Sequence, residues 1–195
     1  MLVGIDTSGK IGQLPIGLGA VKLVSSGILD EIKTNAGKRK KILTKRRRIK
    51  ASDLVEQEIE YSVSRINMPK SSTLLKSEEY RILKDEYYYI KDWKFKILAS
   101  CIHYIASDIT NEHDVVLIDK DYGLEQMKNL CHYVERLFVV LDKKHITVDI
   151  GTSYNEVIGL ADLIAGACKR NHCHCSKELR LEEIDKRMNV FRHPH

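Results

Sequence analysis

No apolar run in this chain approaches the roughly 18–20 residues that a membrane-spanning helix needs, so nothing in it reads as a helical membrane span. Proline is scarce, with three among 195 residues, and there is no low-complexity tract, which excludes a collagen-like or Pro/Gly-rich disordered chain. The opening, MLVGIDTSGK, has neither the basic stretch nor the apolar core of a secretory signal. The expected location is therefore the cytoplasm, with no membrane partner. Five cysteines, an odd number without an export signal, argue against a disulfide framework and read as free thiols. What remains is the composition of one soluble globular domain, residues 1–195, with 43% hydrophobic residues to build a core.

Charge is plentiful but unevenly placed. Residues 38–50 (KRKKILTKRRRIK) hold nine basic side chains and no acidic one: Lys38, Arg39, Lys40, Lys41, Lys45, Arg46, Arg47, Arg48 and Lys50. The whole chain carries +5, so without these nine the rest carries −4. Such concentrated positive charge attracts polyanions and displaces counterions from a phosphate backbone, which makes nucleic acid (RNA, DNA or a hybrid) the expected partner. The competing account is a solvated helix face or loop that serves only solubility.

The periodicities predict an α/β order. Residues 2–6 are β-prone and closed by Thr7, Ser8 and Gly9; residues 16–25 and 28–33 flank Ser26-Gly27, so the first part of the chain reads as a three-stranded antiparallel meander. Helical spacing follows from Asp53 through Val55, Ile59, Val63 and Ile66, and again over 77–109, with a break expected near Asp92. Residues 115–118 form a continuous apolar run, the expected central strand, buried on both faces. Residues 124–137 read as a helix, 146–150 (ITVDI) as a strand parallel to the previous one, and 155–170 as a last helix capped by Asn155 or Ser153. The remaining tail, about 171–195, reads as polar and His/Cys-rich; its closely spaced Cys and His residues suit adventitious metal pickup better than a zinc module. The sum is a mixed five-stranded sheet flanked by helices, with a mainly helical insertion at about 51–110 between strands 3 and 4.

Four carboxylates stand out. Asp6 and Asp119 end the first and fourth strands, and parallel βα units gather functional groups at such carboxyl ends. Asp121, two residues on, projects from the same face if the strand persists. On the last helix Asp162 is a lone acid on a stripe shared with Gly159 and Gly166, where burial is costly unless the acid is paired or binds a cation. Carboxylates meeting in a crevice need a divalent cation, and oxygen-only ligation favours Mg²⁺ or Mn²⁺. Two such ions can support phosphodiester cleavage, so an acidic crevice with a basic flank points to a nuclease. Tyr87, Tyr88, Tyr89 and Trp93 are candidate base-stacking residues, though at helical spacing some must belong to the core; His103 and His132 read as packing residues.

The opening strand GIDTSGK and the closing segment SYNEVIGLADLIAGACKR together resemble a widespread uncharacterised, domain-of-unknown-function family with a ribonuclease H-like fold, whose members open on Asp-Glu-Ser-Gly and close on Leu-Ala-Asp-Leu-Ile-Ala-Gly. The resemblance implies that fold, and it places Asp6, Asp119 and Asp162 at metal-ligand positions, with Glu31 or Asp121 completing the set. Thr7 stands where the family has glutamate, which removes one ligand. Two other readings compete with a metal-dependent nuclease. One is a non-catalytic nucleic-acid-binding protein of the same fold, with which Thr7 agrees. The other is an actin- or sugar-kinase-like ATPase, because GIDTSG and VDIGTS both look like phosphate-binding turns.

Overall fold

The computed structural model describes residues 1–11, 16–23, 74–169 and 179–192. The expected strand at 28–33, the helix from Asp53, Glu31, the basic strip 38–50 and the Cys/His segment all lie outside the described residues. Five strands are present among those described: β1 (Leu2–Ser8), β2 (Ile16–Leu23), the two-residue β3 (Leu74–Leu75), β4 (Val115–Asp119) and β5 (Thr147–Gly151). The five helices are α1 (Ser77–Tyr87), α2 (Trp93–Ala106), α3 (Leu124–Leu137), α4 (Glu156–Lys169) and α5 (Leu181–Arg192). The sheet is mixed, in the order β3-β2-β1-β4-β5, with β1 antiparallel to β2 and parallel to β4, and β4 parallel to β5. Leu74–Leu75 pairs antiparallel with Ile16 and Gly17 at the start of β2.

The middle of the sheet is β1, not residues 115–118. Val3 to Asp6 are all buried, whereas Val115, Leu117 and Asp119 of β4 are only partly covered. The reason is register. Val3 and Ile5, with Leu18, Ala20, Val116 and Ile118, face a large core completed by α2, α3 and α5. The opposite face is covered by α4, which lies on β1 and β2 and barely touches β4. That contact is unusually close: a Cβ on Gly19 would lie 2.3 Å from the Ala161 carbonyl oxygen, and one on Gly4 would lie 2.4 Å from the Val157 carbonyl carbon and oxygen. Glycine is required there because a helix backbone, not a side chain, occupies the space.

Only part of the expected helical insertion at about 51–110 falls among the described residues. Residues 51–73 lie outside the described residues, while α2 belongs to the core, buried continuously from Ile97 to Ala106. The predicted break falls at Asp92, whose left-handed backbone (φ 57°) is one that aspartate tolerates. The tail is not polar throughout, because residues 181–192 form α5. Ile184, Met188 and Phe191 are buried in it, and Leu181 is partly covered, a helical spacing that the polar neighbours obscured. Inside that interface the Arg187 Nε–H donates to His103 Nδ1 at 3.0 Å, and the guanidinium stacks on the Tyr104 ring. Burial, with Arg187, Lys144 and Lys186 nearby, lowers the His103 pKa to about 3, so it is a neutral packing residue as expected. His132, by contrast, is exposed. Cys101 and Cys131 are buried free thiols, Cys168 is buried as well, and no helix among the described residues is long and apolar enough to cross a membrane.

Candidate metal centre at the carboxyl end of the sheet

The site follows from strand register. Ile5 pairs with Ile118 across parallel β1 and β4, so the next residues, Asp6 and Asp119, sit level with one another and on the face that α4 covers. Asp6 also pairs with Gly19 on its other side, where no side chain crowds it. Beyond Asp119 the strand ends, and the Asp121 N–H bonds the Asp119 carbonyl at 3.0 Å. Asp121 thus reaches the site by a tight turn, not by continued strand alternation. Asp6 (buried), Asp119 (half-buried) and Asp121 (exposed) each present an oxygen within 4.8 Å of the others.

Local bonds hold this arrangement. The Thr7 backbone N–H donates to Asp6 Oδ1 at 2.7 Å, and the Thr7 hydroxyl donates to Asp121 Oδ2 at 2.6 Å. Thr7 therefore orients a carboxylate of the cluster. Nothing local in the sequence signals this contact, which spans 114 positions. Next to Asp121, the Tyr122 ring packs edge-on against Phe95 of α2 at 5.1 Å.

Charge repulsion marks the cluster. Burial is the main cause that raises the Asp6 pKa to about 8; Asp162, Asp121 and Asp119 add to it, and the Thr7 N–H bond opposes it. Asp121 is also raised, by burial and by the charges of Asp119 and Asp162, against the Thr7 hydroxyl and Lys10. Asp162 differs from expectation in one respect. It is exposed on α4, and its charge, not membership of the 4.8 Å group, ties it to Asp6 and Asp121. An all-oxygen donor set with this excess negative charge fits a hard divalent cation of the Mg²⁺ or Mn²⁺ type. Glu31 and the basic strip lie outside the described residues.

No family model matches the chain, and no curated protein matches it. Five chains of solved structures do match. One is the ribonuclease HII in the structure of the PCNA:RNase HII complex from Archaeoglobus fulgidus, with 16% identity and a TM-score of 0.53 over 98% of this chain and 77% of that one. At this identity the similarity is one of fold, and the chain has a ribonuclease H-like α/β architecture.

Proposed function

We propose that the protein is a divalent-metal-dependent nuclease acting at Asp6, Asp119, Asp121 and Asp162. The observation that carries this reading is the convergence of three carboxylates from β1 and the end of β4 within 4.8 Å. In this scheme Asp6, Asp119 and Asp121 would hold the cation, with Asp121 oriented by Thr7, and Asp162 would add its negative charge from α4. Glu31 is a further acid that the family resemblance assigns to the site. Bound Mg²⁺ or Mn²⁺ would supply an activated water and charge for the leaving oxygen of a phosphodiester. The protein's own part is to gather the carboxylates, to keep Asp6 out of bulk water and to present the phosphate. The last task we assign to the basic strip, Lys38, Arg39, Lys40, Lys41, Lys45, Arg46, Arg47, Arg48 and Lys50. The ribonuclease H-like neighbour and the near-identity of residues 160–166 to the uncharacterised family's closing motif support the same reading.

The test is cleavage of RNA, DNA and hybrid substrates with and without Mn²⁺. Cleavage is expected only with metal, and Asp119→Asn should abolish it. Persistent cleavage by that variant, or in EDTA, overturns the assignment. Metal-independent binding without any cleavage favours the non-catalytic relative, and a rise in melting temperature with ATP and Mg²⁺ favours the ATPase. Neutralising the strip should weaken binding and lower the log–log salt slope by roughly 0.7–0.9 per lost phosphate contact. An unchanged slope would make the strip a solvated surface.

A further inference from the structure

Building on the nuclease reading, we propose that the turn between α1 and α2 is a stacking platform for single-stranded nucleic acid. Tyr88 and Tyr89 are its base-contacting side chains, and Lys91 and Lys94 its phosphate contacts. The three consecutive tyrosines have separate fates: Tyr87 is fully buried and hydrogen-bonded to Asp185, whereas Tyr88 and Tyr89 remain 67% and 64% exposed. Two large rings exposed side by side form an apolar surface of the kind that marks an interaction site. Their planes meet at 86° with centroids 6.2 Å apart, so they offer two differently oriented faces, one for each of two unstacked bases.

The turn is built to hold that shape. The Ile90 N–H bonds the Tyr87 carbonyl at 2.9 Å, the Trp93 N–H bonds the Ile90 carbonyl at 3.0 Å, and the Tyr133 hydroxyl of α3 donates to Asp92 at 3.0 Å. Charge selects the occupant. Lys91 and Lys94 are exposed, and the Lys94 ammonium lies over the Trp93 ring at 5.7 Å. Of the neighbouring acids, Glu86 is paired with Arg192 at 2.7 Å, Asp92 accepts the Tyr133 hydroxyl and Asp185 accepts the Tyr87 hydroxyl, while Asp85 is exposed. Aromatic rings flanked by lysines suit a base-bearing polyanion. Location agrees, since Phe95, two residues into α2 from Trp93, packs on Tyr122 beside Asp121.

The experiment titrates the Asp119→Asn protein, in EDTA, against a fluorescent single-stranded oligothymidylate and repeats the titration across salt. Tyr88→Leu and Tyr89→Leu keep apolar bulk but lose the π-face, and each should weaken binding roughly ten-fold without changing the salt slope. Tyr88→Phe and Tyr89→Phe should bind like the parent. Lys91→Ala and Lys94→Ala should each lower the slope by about 0.7. Leucine variants that bind as tightly as the tyrosines, or a protein that binds no single strand, overturn the platform. Cleavage by the parent in Mn²⁺ is scored separately. Tyrosine-dependent binding without cleavage removes the nuclease reading and keeps the platform, and cleavage with unaffected leucine variants does the reverse.

Discussion

Freed of divalent cations at pH 8, Asp6→Asn should melt higher than the parent by several degrees, and the advantage should vanish near pH 4. The folded-state pKa of Asp6 is raised to about 8 from 3.8, so the fold binds a proton that the unfolded chain releases earlier. The stability linked to this group is complete below about 4 and is lost as pH rises through 8. Asparagine imitates the protonated acid and can still accept the Thr7 N–H, so it removes that loss. A gain of a few kcal/mol corresponds to roughly 5–10 °C for a chain of this size. His103 acts in the opposite sense. Its pKa is lowered to about 3, so it adds stability above about 6.5 that fades as pH falls toward 3. The difference between variant and parent, not either curve alone, therefore isolates Asp6. Adding Mn²⁺ at pH 8 should raise the parent's melting temperature and shift the variant much less, because stabilisation follows binding to the folded state. A variant that melts below the parent at pH 8, or an equal response to Mn²⁺, contradicts the proposed centre.

Gly19→Ala and Gly4→Ala should each destabilise the fold by about 3 kcal/mol or more, from the addition of one methyl group. At Gly19 the new carbon would meet the Ala161 carbonyl oxygen at 2.3 Å, and at Gly4 it would meet the Val157 backbone at 2.4 Å. No side chain can rotate away to relieve either clash. Only the whole of α4 can retreat, which opens the layer over β1 and β2 and carries Asp162 away from Asp6. Gly123→Ala is the control, because its added carbon meets the flexible Gln126 side chain at an ordinary 3.4 Å and the backbone there has φ −59°. Denaturant midpoints of the three variants decide the matter. A Gly19→Ala protein with the parent's midpoint would mean that α4 is not seated as described.

Much of the local structure was legible in the residues. The helical spacing of Met127, Leu130, Val134 and Leu137 located α3, and alternation over ITVDI located β5 to within one residue. The break expected near Asp92 falls at that residue, where aspartate accepts the left-handed backbone. These features depend on neighbours a few positions apart, whose side-chain period records which face is buried. α5 escaped because its few apolar residues are spread among charged ones, and its buried Arg187 looks polar until His103 and Tyr104 are set against it. The aspartates at strand ends were visible as candidates, but how they meet was not. Asp6 and Asp119 come level only through the β1–β4 register, and Asp121 joins them through a turn and a hydroxyl 114 residues away. Asp162 acts on them because strand glycines let α4 sit against the sheet backbone. The sequence by itself determined which segments bury a face and which residues could bear the chemistry. Tertiary structure alone decided which of those residues share a crevice, since a carboxylate's pKa and its capacity to hold a cation depend on distances between groups far apart in the chain.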